Sequence, residues 1–240
     1  MYNNQYQGQN RYDYTPLNEL RSLTNTVSST MKRVYFKMTL ALIVTAFTAL
    51  FCANNGFLYY MAANSWMMWL LIIAEFGLVI GISAGINKMS STVATMLFYL
   101  FAVVNGLMLS SIFVVYSMTA IVKTFFITAG TFGAMSIYGY FTSQDLSKIG
   151  SYLIMALIGL IIASLVNLFM HSSSLDWIIS IAGVLIFIGL TAWDTQQIKA
   201  MAQAAPGDSV GRLATIGALS LYLDFINLFL YLLRIFGNRD

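Results

Sequence analysis

Asp194 and Asp224 are the residues of this chain best placed to do chemistry, because each lies inside a long apolar segment near the carboxyl end. An ionisable side chain at membrane depth is costly unless it is paired, protonated or wetted, so it marks a functional site by default. Between the two lies one helix-breaking stretch, Ala205-Pro206-Gly207-Asp208, and a fresh apolar run begins at Leu213. Asp194 precedes Ala205 by eleven residues, and Asp224 follows Leu213 by eleven. At about 1.5 Å of rise per residue, each carboxylate stands roughly 16 Å from the tip of a helical hairpin. The two are expected to meet at one depth. Two carboxyls within hydrogen-bond reach do not both ionise cheaply, so they share one proton and titrate as a unit. Losing that proton leaves two negative charges that repel each other and attract a hard, oxygen-seeking cation such as Ca²⁺. Asp194 and Asp224 are therefore a candidate pH sensor and ion gate, and candidate transient Ca²⁺ ligands.

Other polar residues fall within apolar runs. Glu75, ten residues into the second run, is a third acid at depth. It could line an ion path, hold a proton, or be a neutral acid bonded to a backbone carbonyl. Asn227, three residues after Asp224, shares its helix face and joins Glu75 as candidate lining of an ion path. Asn105, Asn167, Thr191 and Tyr222 suit hydrogen bonds between helices. His171 and Asp176 fall at a segment edge and read as structural anchors. Asp145 lies in a short polar stretch that can cap the next helix, and Asp208 follows Pro206-Gly207 in a turn. Arg234, near the end of the last run, is expected to snorkel outward.

The elements that must position these residues follow from composition. The chain of 240 residues is 59% hydrophobic and only 9% charged, where a soluble domain carries about a quarter charged residues. It reads as an integral membrane protein. A single cysteine, Cys52, excludes an internal disulfide framework, and a single histidine excludes paired-His metal sites. No cofactor is expected, Ca²⁺ entering only as a permeant ion, and no nucleic-acid partner. The first thirty residues are polar and lack the apolar stretch of a signal peptide. They are expected to form a disordered cytoplasmic tail, residues 1–30, ahead of a seven-span domain over 31–240.

Seven runs are long enough to cross a bilayer: Val34–Ala53, Trp66–Ile86, Val93–Tyr116, Ile121–Phe141, Ser151–Met170, Leu175–Trp193 with a helical continuation toward Ala205, and Leu213–Phe236. The fold class is an all-α bundle of seven transmembrane helices. Short connections predict that consecutive spans are antiparallel neighbours. With the amino terminus inside, nine of the twelve basic residues fall on the cytoplasmic side and three, Lys123, Arg234 and Arg239, on the other. Basic loops favour the cytoplasm, so the expected topology is amino terminus in and carboxyl terminus out. Gly77, Gly81 and Gly85 form a small-xxx-small stripe. It predicts tight packing within the bundle, with a homodimer seam as the lesser reading, so the state is monomer or homodimer.

The sixth-span ending Gly189-Leu190-Thr191-Ala192-Trp193-Asp194-Thr195-Gln196-Gln197-Ile198-Lys199 resembles the signature of the Bax inhibitor family of seven-span membrane proteins. So does Ala218-Leu219-Ser220-Leu221-Tyr222-Leu223-Asp224-Phe225-Ile226-Asn227-Leu228-Phe229. The stretch from Thr142 to Gly150 is similar to the bacterial branch, and the likeness covers about Val34 to Gly237. It implies a last helix enclosed by the other six, and a pH-regulated Ca²⁺ leak across the bacterial inner membrane. It places the family's paired aspartates on Asp194 and Asp224 and its second-span acid on Glu75. One element departs. The family can carry an arginine at the inner end of the second span that latches the pair, and here that region reads Gly85-Ile86-Asn87-Lys88-Met89. Lys88 is the candidate latch, although a compact ammonium lacks the planar two-pronged contact of arginine.

The rival classes leave weaker traces. An intramembrane aspartyl protease also sets one Asp on each of two helices, but calls for Gly-x-Gly-Asp and a following Pro-Ala-Leu. Asp224 instead follows Leu221-Tyr222-Leu223, and the only prolines are Pro16 and Pro206. A retinal protein needs a lysine in the last span, and there is none. The chain is expected not to be an enzyme. A non-catalytic alternative remains: bacterial relatives are thought to restrain a membrane-bound quality-control protease, and the polar tail is a candidate handle for such a protease complex. The partners expected are the lipid bilayer, Ca²⁺ and protons.

Overall fold

Lipid offers no water to satisfy a peptide group, so an apolar run that spans it must close its own hydrogen bonds as helix. The computed structural model describes residues 15–204 and 209–237. Among the described residues the chain forms α1 (Thr15–Asn54), α2 (Phe57–Ala63), α3 (Ser65–Gly85), α4 (Ser91–Leu109), α5 (Ile112–Val115), α6 (Met118–Phe141), α7 (Ser147–Met170), α8 (Ser173–Ala204) and α9 (Val210–Phe236). Seven segments are long and apolar enough to cross a membrane: α1 from Leu23, α3, α4 with α5, α6, α7, α8 and α9. This is an all-α, multi-pass membrane protein. The hairpin tip at residues 205–208 and the first fourteen residues lie outside the described residues.

Polar residues set the helix ends. Ser90 and Ser117 cap α4 and α6, their hydroxyls accepting from the backbone N–H of Val93 and Ala120, each at 3.3 Å. The third span is not one unbroken helix. Ser110 and Ser111 turn their hydroxyls back to the carbonyls of Leu107 (2.6 Å) and Met108 (2.9 Å), and α4 gives way to α5 there. The disordered tail through Thr30 is also corrected, because α1 already begins at Thr15. Val27, Met31, Val34, Met38 and Ala41 recur at helical spacing, and all are buried. A polar average concealed this amphipathic stripe.

Two expectations about packing need correction. Three of the six consecutive pairs of spans do pack together, α3 on α4, α7 on α8 and α8 on α9, but α1 packs on α4 and α9 instead of α3, and α6 on α8 and α9 instead of α4 or α7. The most extensive contact of the bundle is the consecutive pair α8 and α9. A short loop reverses the chain's direction, but apolar shape decides which faces meet. Two-thirds of the apolar window of α9 is buried, against 6% for α7. The helices that pack substantially on α9 are α8, α1, α6 and α4, so four neighbours stand where the resemblance implied six.

The glycine stripe of α3 is the second correction. A Cβ added at Gly77 or Gly81 would meet open space, and one at Gly85 only the side chain of Met89 in the following turn. Tight packing within the bundle is not what these glycines serve. The close approach occurs at Gly139 of α6, where a Cβ would overlap the backbone carbonyl of Ala192 in α8. Gly139→Ala is therefore expected to destabilise the detergent-solubilised protein by about 1–3 kcal/mol, while Gly77→Ala and Gly81→Ala leave it unchanged. Thermal unfolding of the three variants side by side checks this contrast.

Candidate functional site

Asp194 lies ten residues before the end of α8, and Asp224 lies in the middle of α9. Both helices are well made at this level. In α8, Thr191 and Thr195 return their hydroxyls to the carbonyls of Phe187 (2.7 Å) and Thr191 (2.8 Å), so neither leaves an unsatisfied group beside Asp194. In α9, the rings on either side of Asp224 are held by other spans. Tyr222 meets Phe98 and Phe101 of α4 edge-on, at 5.6 and 5.7 Å between centroids. Phe225 meets Phe125 and Phe132 of α6 at 5.6 and 5.5 Å. Such edge-to-face contacts fix ring orientation as well as burying area, so α9 cannot rotate without dislodging four aromatic neighbours.

The structure brings the two acids together. The carboxyls of Asp194 and Asp224 face each other within hydrogen-bonding reach. Ser220, one turn before Asp224, donates a short hydrogen bond to Asp194 Oδ2. Asp224 is only 4% exposed, and its Oδ2 has no hydrogen-bond partner among the described residues. No group of three or more His, Cys, Asp or Glu side chains gathers among the described residues. Ca²⁺ takes about six to eight oxygens, so two carboxyls and a hydroxyl suit a passing ion more than a resident one.

Glu75 joins a different network. Asn105 of α4 donates to Glu75 Oε1 at 2.8 Å, and Asn105 Oδ1 accepts from the Tyr222 hydroxyl at 3.0 Å. That hydroxyl also bonds Thr45 of α1 at 2.7 Å. Thr45 in turn donates to the carbonyl of Ala102 at 2.9 Å. The chain of bonds ties the peripheral α3 to α9 across α4, on the face of α9 turned away from Asp224. Asn227 is elsewhere again: it donates to its own helix at Leu223 O, 2.8 Å, and lines a cavity toward the end of α9. Glu75 and Asn227 are thus not brought together.

Lys88 is not brought to the aspartates either. It sits exposed in the turn after α3, bonded through its backbone N–H to Gly85 O at 2.9 Å. The pair lies turns deeper in α8 and α9, beyond the reach of its four-carbon stem. The ammonium that does bind α9 belongs to Lys37 of α1. It donates to Thr215 Oγ1 (2.6 Å), Thr95 Oγ1 (2.8 Å) and Gly211 O (3.3 Å), joining three spans. Arg234 does not simply snorkel. It reaches Asp176 of α8 at 3.4 Å and lies over the ring of Tyr231. His171 ends α7 in a left-handed conformation, φ 48°.

Gln196 was missed by sequence reasoning, although it stands inside the sixth-span motif. Its Oε1 accepts from Leu146 N at 2.9 Å and its Nε2 donates to Gln144 O at 2.8 Å, clamping the loop between α6 and α7 onto α8. Asp145 in that loop accepts from the backbone N–H of Ser147 at 2.9 Å. Bonds from Ser147 hold its carboxyl below the usual carboxylate range. The only available signal was the run of two glutamines after Asp194, a residue type that pairs equally well with backbone donors and acceptors.

The family model described as Inhibitor of apoptosis-promoting Bax1 matches residues 27–240. The chain belongs to the Bax inhibitor family. The match takes in both acids, Ser220, Gln196 and the second-span Glu75. The chain is 50% identical over 213 residues to the Inner membrane protein YbhL of Escherichia coli, covering 87% of this chain and 91% of the relative. It is 49% identical over 212 residues to an uncharacterized protein of Borreliella burgdorferi, with the same coverage. An uncharacterized protein of Rickettsia prowazekii is 43% identical over 232 residues, covering 95% of this chain and 98% of the relative.

The polar network around Tyr222 gives a stability expectation. Tyr222→Phe keeps the ring between Phe98 and Phe101 but removes the hydroxyl that serves both Thr45 and Asn105. Leaving buried polar groups unmet costs about 1–3 kcal/mol, which a thermal melt in detergent would register as a lowered midpoint.

Proposed function

We propose that this Bax inhibitor family member is a pH-sensitive Ca²⁺ leak of the bacterial inner membrane, gated by the Asp194–Asp224 pair and not an enzyme. The observation that carries the reading is the meeting of a buried and a half-buried carboxyl from two helices, with Asp224 Oδ2 left without a hydrogen-bond partner among the described residues. A proton shared by the pair ties α8 to α9. Its loss leaves two negative charges in a medium of low dielectric, where repulsion is strong and a divalent cation is the available counter-charge. Ser220 holds Asp194 in place, so the proton and the incoming ion compete for an acid of fixed position. Family membership and the inner-membrane relative support the same reading.

The orientation follows the basic loops, with the amino terminus in the cytoplasm and the carboxyl terminus outside. Single cysteines at Lys148 and Ser172, introduced in a Cys52→Ser background, should label from opposite sides of the membrane with an impermeant thiol reagent. Equal labelling of both from one side would overturn the topology.

The gate is tested by Ca²⁺ flux into liposomes holding the purified protein, measured from about pH 5 to 8. Wild-type flux is expected to vary with pH, and Asp194→Asn and Asp224→Asn to flatten that profile. A double Asn variant with the wild-type profile would remove the pair from the mechanism. No protein-dependent flux at any pH would favour a role as a membrane interaction protein instead, modulating a membrane-bound protease.

A further inference from the structure

The carboxyl-terminal end of α9 carries a polar feature that the gate does not use. A cavity of about 290 Å³ opens there, at the end of the bundle opposite Lys88, Lys148 and Lys199, lined by Tyr116, Asn227, Leu230, Tyr231, Leu233 and Arg234. Asn227 stands one helical turn beyond Asp224, roughly 4.5 Å along the axis. Its amide nitrogen is engaged by Leu223 O. Its carbonyl oxygen has no hydrogen-bond partner among the described residues, leaving it available to a cation in the cavity. The cavity therefore reaches to within a turn of the carboxyl pair and offers an oxygen on the way.

Its rim is charged. Arg234 donates from Nη1 to Asp176 Oδ1 at 3.4 Å, with the two side chains 43% and 36% exposed, and the guanidinium lies 5.7 Å from the centroid of the Tyr231 ring. An exposed ion pair of this length contributes little to folding. Its effect on potential is another matter. A bare guanidinium at the mouth of a narrow cleft repels an approaching cation, and a carboxylate set against it cancels that field.

We propose that Arg234 and Asp176 are an electrostatic throttle at this mouth of the cation route, setting how fast ions enter and leaving the pH response to Asp194 and Asp224. The throttle rests on the ion-leak reading above. Ions pass the compensated pair, meet Asn227, and reach the acids one turn further in. Arg234 alone would exclude them, and Asp176 alone would concentrate them.

The test uses the full-length protein in liposomes, with initial Ca²⁺ influx measured at about 0.01 M and about 0.15 M salt. Asp176→Asn is expected to slow influx, and Arg234→Gln to speed it, by on the order of two- to tenfold at the lower salt. The effect should shrink at the higher salt, where the screening length falls from about 30 to about 8 Å. Asp176→Glu and Arg234→Lys should restore near wild-type rates, and all four variants should keep the wild-type pH profile. Lys123→Gln removes an exposed charge near the same end but outside the cavity lining, and should change nothing. If the two charge removals shift influx in the same direction, or neither differs from Lys123→Gln, the throttle is overturned while the leak stands. If the wild type itself shows no protein-dependent flux, the leak reading fails and the throttle falls with it.

Discussion

A carboxyl group cannot be left alone where water does not reach it, and much of this bundle is arranged around that constraint. Asp194 and Asp224 meet because each is the other's most available polar partner, and Ser220 supplies the one hydroxyl that completes the contact. For two helices to keep that meeting, their axes must be fixed in rotation as well as in distance. The edge-on rings around Tyr222 and Phe225 do this from opposite sides, recruiting α4 and α6. The backbone approach at Gly139 then sets α6 against α8. Position of the acids is thus a property of four helices.

Three other sets of polar side chains within the bundle bond between elements and do not merge. Glu75, Asn105, Tyr222 and Thr45 form one chain of bonds, Lys37 with Thr95 and Thr215 a second, and Gln196 with the loop between α6 and α7 a third. Each ties elements that are distant in sequence. In a medium that gives no hydrophobic advantage to one apolar face over another, directional bonds and close backbone contact choose the neighbours. The outer helices α3 and α7 have few buried side chains, and α3 depends on Glu75 for its recorded side-chain hydrogen bond to the core.

The seven spans were legible in the sequence because length and hydropathy alone decide whether a segment can cross a bilayer. The depth of the acids was legible for a similar reason: helical rise is constant, so equal spacing from Ala205 and Leu213 predicts equal height. Which spans touch was legible only in part: loop length predicts the contacts of α3 with α4, α7 with α8 and α8 with α9, and misses the others. Loop length fixes direction, whereas the contacts of α1 with α4 and of α6 with α8 follow from close backbone approach, Gly106 against Thr45 and Gly139 against Ala192. The same limit explains Gly77 and Gly81, whose spacing says that a helix can approach and not that one does. Position along the chain points to Lys88, but the ammonium that binds the last helix comes from Lys37, far away in sequence and near in space. The amphipathic start of α1 was hidden by averaging over Ser, Thr and Asn.

The Lys37 contact has a mechanical consequence. Thr215 receives that ammonium near the start of α9, so the last helix is tethered by a charged bond at one end, while the other is held by the stacking of Tyr231 on Phe187 and the long, exposed contact of Arg234 with Asp176. Asp224 is nine residues from the tether and Arg234 nineteen, roughly 14 and 29 Å along the axis. A helix pivoting at Thr215 is a lever: tilting it by about 5° carries Asp224 about 1 Å and Arg234 about 2.5 Å along their arcs. A displacement at the acids is thus doubled at Arg234, where it works against the stacking of Tyr231 on Phe187.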